Sequence, residues 1–199
     1  MSREGQLAII KLGVAEWNRW RHRDVDRLPD LSKADLSGTN LSGVNLAQAN
    51  LTEANLCEAR LVKAKMGRVR AASADLSGSD VSQADLESGD FTSVDLSDAK
   101  LCCTCCKQAK FNGAVLDHAD LTGADCDGAA FESAEMEKTN LSCVSLREAV
   151  FQGANLTNAN FTDANCTGAI FVDAVLAGAN FSGTILKGAR FSNASLEDV

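Results

Sequence analysis

The chain has 199 residues, 45% of them hydrophobic, enough to bury a core and suited to one domain of ordinary size. Its formal net charge of −8 excludes the basic stripe that grips a phosphate backbone and gives no attraction to anionic lipid, so a charged partner is expected to be basic. No stretch nears about 18 consecutive apolar residues, and the N-terminus carries no apolar leader with a small-residue cleavage site; the expectation is a cytoplasmic protein whose cysteines stay reduced.

Residues 1–28, MSREGQLAIIKLGVAEWNRWRHRDVDRL, place Leu7, Ile10, Val14 and Trp17 at helical spacing on one face, with Ser2 available as N-cap. The pattern predicts an amphipathic helix, weakened at Gly13 by roughly 1 kcal/mol relative to alanine, that covers the first layer of whatever follows. Trp17 and Trp20 then belong to the cap rather than to a ligand site.

From residue 29 the chain changes character. SKADLSGTNLSGVNLAQANLTEANL repeats every five residues, and the register continues to Leu196 with one weak centre, Ala71. A small residue, mostly Ala, stands two before each central Leu, Phe, Met or Cys, and the residue between them is usually Asp or Asn. In an extended chain alternate side chains face opposite sides, so the small residue and the centre point inward and the Asp or Asn points out. The two polar residues that follow are turn formers. An α-helix would rotate successive centres by about 140° and scatter them over every face, so the repeat requires a solenoid. Phe91, Phe111, Phe131, Phe151, Phe171 and Phe191 recur at twenty residues, and Phe161 and Phe181 fall ten out of phase, which gives four sides and twenty residues per coil.

The pentapeptides ADLSG, ANLTE, ANLCE, ADLTG and ANLTN resemble the A(D/N)LXX signature of the pentapeptide repeat family, of the kind abundant in cyanobacteria. The resemblance spans roughly residues 30 to 199 and implies a right-handed quadrilateral β-helix of about eight coils, an all-β solenoid, here with the α-helical cap. At about 4.8 Å per coil the rod is roughly 40 Å long.

Residues twenty apart should be neighbours on adjoining coils. That puts Arg60 beside Asp80, Lys65 beside Asp85 and Arg70 beside Asp90, with Lys100 and Lys110 beyond, and opposite charges so placed contribute about 0.2–1 kcal/mol each. The basic run Arg60–Arg70 is therefore expected to be neutralised by its neighbours.

In LCCTCCKQAKF, Leu101 to Phe111, the register turns Cys106 inward, as it does Cys126 and Cys166, and leaves Cys102, Cys103 and Cys105 outward. One coil away from the outward thiols stand Ser82, Gln83, Asp85, Thr122, Gly123 and Asp125, and neither His22 nor His118 joins them. Four convergent ligands are not in prospect, so no metal and no cofactor is expected. Carboxylates and hydroxyls are everywhere, no phosphate loop is present, and a smooth rod offers no pocket, so an enzyme is not expected either.

Two surfaces are candidates for recognition. An acidic stretch winds around one coil through Asp117, Asp120, Asp125, Asp127, Glu132, Glu135 and Glu137, fit for an unidentified protein partner with a basic surface, with no direct nucleic acid and no membrane involved. The last coil, Phe181, Leu186, Phe191 and Leu196, has nothing left to cover it and is the candidate end for a homodimer. The reading is a rigid, non-enzymatic binding or scaffold protein. The alternative comes from the resemblance, since quinolone-resistance members of the family are acidic dimers that mimic DNA on DNA gyrase.

Overall fold

A computed structural model describes residues 2–24 and 27–197; Met1, Val25 and Asp26 in the expected cap and Asp198 and Val199 at the end of the repeat lie outside the described residues. The repeat folds as the right-handed, four-sided β-helix, and its twenty-residue coil follows from single-residue parallel bridges that run from Asp30↔Asn50 to Val175↔Ser195.

Each pentapeptide is one short extended side and one β-turn. The turn begins at the centre: Leu31 C=O accepts from Ala34 N–H at 3.0 Å, and Lys33, two after the centre, has φ 57°. A positive φ there defines a type II turn, which favours Gly. Gly38 and Gly43 supply it without strain, yet Glu53, Lys63 and Arg68 adopt the same angle at φ 58°, 59° and 56°. The coil imposes the conformation, and the residue's own N–H compensates by bonding to the next coil, as Lys33 N–H does to Thr52 C=O at 2.9 Å. The sides are joined in the same way, Leu31 N–H to Asn50 C=O and Asn50 N–H to Pro29 C=O, both at 2.8 Å.

Four inward columns result. Side 1 carries Leu31, Leu51, Ala71 and then the phenylalanines from Phe91 to Phe191; side 2 runs from Leu36 to Leu196, side 3 from Leu41 to Phe181, and side 4 from Leu46 to Leu186. The side 1 rings stack with centroids 4.8 to 5.2 Å apart, one ring per coil. Phe161 stacks on Phe181 at 4.6 Å and meets Phe151 and Phe171 edge to face. Where side 1 changes from Ala71 to Phe91 the small inward residue is Gly89, and the Phe91 ring leans into its place: a Cβ there would lie 2.5 Å from the ring.

The cap departs from the single helix expected. Two form, α1 (Arg3–Lys11) and α2 (Val14–Arg23), because Gly13 takes φ 114° and breaks the path. Ser2 Oγ caps α1 by accepting from Gly5 N–H. Ile10 and Trp17 are buried against the first coil and Leu7 and Val14 partly so. Side chains stand in for a missing coil: Trp17 Nε1 donates to Asn45 C=O at 2.8 Å, and Asn18 accepts from Asn45 N–H while donating to Gly43 C=O. Gln6 Oε1 accepts from Asp30 N–H at 2.7 Å, and Arg3 reaches Ser32 C=O.

The opposite-charge ladder is in register but not in contact. Arg60, Lys65 and Arg70 do bridge to Asp80, Asp85 and Asp90 through the backbone, yet none of these cations comes within ion-pair distance of a carboxylate among the described residues. The carboxylates are occupied by their own turns. Asp80 Oδ1 accepts from Ser82 N–H, Asp85 Oδ1 from Glu87 N–H, and Asp90 Oδ1 from both the amide and the hydroxyl of Thr92. Such a bond two residues on fixes one short side chain, whereas an exposed pair must also immobilise a long Lys or Arg for about 0–1 kcal/mol. The expected neutralisation of the Arg60–Arg70 run by ion pairs is thus corrected.

Candidate interaction surfaces

The acidic belt encircles the rod and does not form one face. Asp120 lies on side 3, Asp125 and Asp127 on side 4, Glu132 on side 1, and Asp117, Glu135 and Glu137 on side 2. Most of its oxygens already have donors. Asp117 accepts from Glu137 N–H, Asp127 from the Ser145 hydroxyl and Arg147 N–H, and Glu135 from Asn155 Nδ2. Lys107 pairs with Asp125 at 2.8 Å, and Lys138 with Glu137 at 2.8 Å. At Asp120 burial pushes the carboxyl up, but bonds from the hydroxyl and amide of Thr122, the Cys102 thiol and Asn140 outweigh it and hold the group below the usual carboxylate range.

The thiols sort into three environments. Cys106, Cys126 and Cys166 are buried, Cys102 and Cys105 are half-buried, and Cys103 is exposed, as is Cys143. Burial, with the Asp120 carboxylate that Cys102 Sγ meets at 3.2 Å, pushes the Cys102 thiol up to about 11. Burial raises Cys105 as well, and takes Cys166 to about 12. Asp85, Glu87 and Cys105 bring donor atoms within 4.8 Å of one another on side 4. The five-residue register places Asp85 one coil from Cys105 but gives no signal for Glu87, which follows the next centre. The set is three donors at the surface with a thiol that favours its proton, a poor match to the four ligands of a structural zinc site.

The C-terminal end is apolar. Phe181, Leu186, Phe191 and Leu196 ring a shallow depression of about 250 Å³, with Leu186 and Leu196 37% and 49% exposed. The N–H groups of Phe181, Leu186 and Phe191, which in every earlier coil donate upward, have no backbone partner among the described residues. Beside them Ile185 and Val175 are also exposed. No helix among the described residues is long and apolar enough to cross a membrane.

The profile described as Pentapeptide repeats matches in eight copies across residues 30–68, 64–102, 106–137, 131–165, 139–176 and 159–198. The chain belongs to the pentapeptide repeat family. Among solved structures, it is similar to HetL of the cyanobacterium Nostoc sp. Strain PCC 7120, a pentapeptide repeat protein involved in heterocyst differentiation regulation. The identity is 26% over 90% of this chain and 96% of that one, with a TM-score of 0.46. Rfr23 of the cyanobacterium Cyanothece 51142 is 35% identical over 46% of this chain and 66% of its own, with a TM-score of 0.27. Full-length QnrB1, a plasmid-mediated fluoroquinolone resistance protein, is 18% identical over 83% of this chain and 85% of its own, with a TM-score of 0.46. Comparison with curated protein sequences gives no match.

Proposed function

We propose that the protein is a rigid, non-enzymatic binding rod that associates with a second copy through its C-terminal coil and offers its acidic belt to a basic protein surface. The observation that carries this reading is the asymmetry of the rod among the described residues: helices cover one end, and at the other four apolar centres and a row of backbone donors meet no covering element. Two such ends brought together about a two-fold axis bury those centres and let the backbone donors of one copy reach the carbonyls of the other. A binding role also fits the family, whose members are generally structural or binding proteins. Sedimentation of the full chain is expected to show a concentration-dependent dimer that Phe191→Asp dissociates while the β-rich signal persists. A monomer at all concentrations removes the self-association half of the proposal.

The partner is read as a basic protein rather than a DNA-binding groove. Duplex DNA carries about one charge per 1.7 Å of axis, whereas these carboxylates are spread over four sides and most are bonded to their own surroundings. DNA gyrase supercoiling is expected to be unaffected at protein concentrations matching the enzyme. Inhibition that disappears when Asp120, Asp125 and Asp127 are reversed to Lys, with the rod still folded, would replace this reading by DNA mimicry.

A further inference from the structure

A second surface, at the opposite end of the rod from the apolar coil, is built from cations that form no ion pair among the described residues. A pocket of about 240 Å³ opens between α2 and side 4 of the first two repeat coils, lined by Asn18, Arg21, His22, Gly43, Asn45 and Lys65. No carboxylate lines it. Two acids adjoin it in sequence or register: Asp24 pairs with Arg27, and Asp85, the coil neighbour of Lys65, bonds through Oδ1 to Glu87 N–H.

Arg21 is the unusual member. It is only 8% exposed, and among the described residues it meets no carboxylate at ion-pair distance. Its Nη1 and Nη2 donate to the carbonyls of Arg27 and Ala47 at 2.7 and 3.0 Å, and its Nε is buried without a partner. Taking a guanidinium out of water without an opposing charge is costly, and neutral carbonyls recover only part of the loss. Burial accordingly pulls the Arg21 guanidinium below its ordinary value, with Asp24 only partly opposing. His22 and Lys65 are exposed at the rim, and among the described residues neither side chain forms a hydrogen bond or ion pair. Asn45 uses its Oδ1 on Ala47 N–H and keeps its amide donors free.

We infer that this pocket binds a small oxyanion of the phosphate class. A buried guanidinium and an ammonium arrive from two structural elements with an imidazole beside them and no carboxylate in the lining, and a phosphate brings both negative charge and oxygens on every side. Occupancy would tie the C-terminal turn of α2 to the second coil across the junction that Asn18 and Trp17 already bridge.

The test is calorimetric titration of the full chain with inorganic phosphate at constant ionic strength, repeated with glycerol phosphate and with chloride alone. Saturable binding of phosphate is expected, with Lys65→Ala and His22→Ala each raising its Kd at least tenfold. Arg70→Ala, in the same basic run but on side 1, is expected to leave it unchanged. Both variants alter exposed side chains, so circular dichroism should match wild type. Equal binding of the phosphomonoester identifies a phosphorylated metabolite as the class, and binding of phosphate alone identifies the free ion. Absence of saturable heat, a response shared by chloride, or equal weakening by Arg70→Ala overturns the inference. Phe191→Asp leaves the site intact, so the result is independent of self-association.

Discussion

At the N-terminal end the first coil has amides and carbonyls that no preceding coil can pair, and side chains supply the partners: Gln6 for Asp30 N–H, Asn18 for Asn45 N–H and Gly43 C=O, Trp17 for Asn45 C=O and Arg21 for Ala47 C=O. At the C-terminal end the amides of Phe181, Leu186 and Phe191 find no such substitute among the described residues. The apolar side follows the same division, with Trp17 sealed over the first coil and Leu196 half exposed over the last. Closing a solenoid thus takes more than an amphipathic helix of the right size. It takes amide and guanidinium side chains placed to imitate the hydrogen bonds of a coil, and the N-terminal end has them.

The largest expected effect distinguishes the interior from the open end. Phe131 lies between Phe111 and Phe151 with ring centroids 5.1 and 5.0 Å away, so Phe131→Ala leaves a closed cavity and should cost about 3–5 kcal/mol in denaturant unfolding. Phe191 is stacked on one face only, by Phe171, with Phe181 edge-on beside it, and is partly exposed, so Phe191→Ala should cost about half as much or less in a monomer. Equal losses measured at a concentration where wild type is dimeric would mean that the second copy completes the column. Equal losses in the monomer would mean that the end is not open in solution.

Most of the solenoid is legible in the sequence because a five-residue register leaves little freedom: the inward columns, the twenty-residue coil, the phenylalanine stacks and the burial of Cys106, Cys126 and Cys166 all follow from counting. Three things do not. Gly13 has an ordinary place in a helical pattern, and only its φ of 114° shows that it divides the cap. The partners of Asp80, Asp85 and Asp90 depend on a competition between a neighbouring coil's cation and the residue's own turn, which register cannot decide. The cation pocket joins Arg21 and His22 to Lys65, residues more than forty positions apart, and periodicity is silent about the non-repeating segment that supplies two of them. The same competition explains why the acidic belt, correctly ordered along the chain, is more internally bonded than its charge suggests.

A smaller effect probes the boundary between the aliphatic half of side 1 and its phenylalanine half. Later coils place Ala109, Ala129 and Ala149 before their phenylalanines, but Phe91 sits over Ala71 and leans onto Gly89, where a methyl would stand 2.5 Å from the ring. Gly89 has no positive φ, so the gain in backbone order that alanine brings is available while the steric conflict opposes it. Gly89→Ala is expected to destabilise by about 1–3 kcal/mol, the range for overpacking. Ala109→Gly, one coil on, should instead show only a loss of order and packing. A stabilised Gly89→Ala would show that the ring shifts into the space above Ala71 at no cost.

The smallest effect concerns a site midway between the two ends, where coils are present on both sides. Asp120 accepts from Thr122 and Asn140 through Oδ1 and from Cys102 through Oδ2, while Asn140 and Asn160 fill the same position on the following coils. Asparagine therefore keeps the Oδ1 bonds, and Asp120→Asn is expected to change stability at neutral pH by less than about 1 kcal/mol. The acid limb should differ. The folded-state value of Asp120 is depressed, so its ionised form stabilises the fold above the unfolded value near 3.9, and that contribution is lost as pH falls through the lower folded value. The stability of the wild type should thus fall relative to the variant as pH decreases below about 4. Parallel curves down to pH 2 would mean that burial, which opposes ionisation, cancels the hydrogen bonds at this position, and that the central coils hold their carboxylates no more tightly than the ends do.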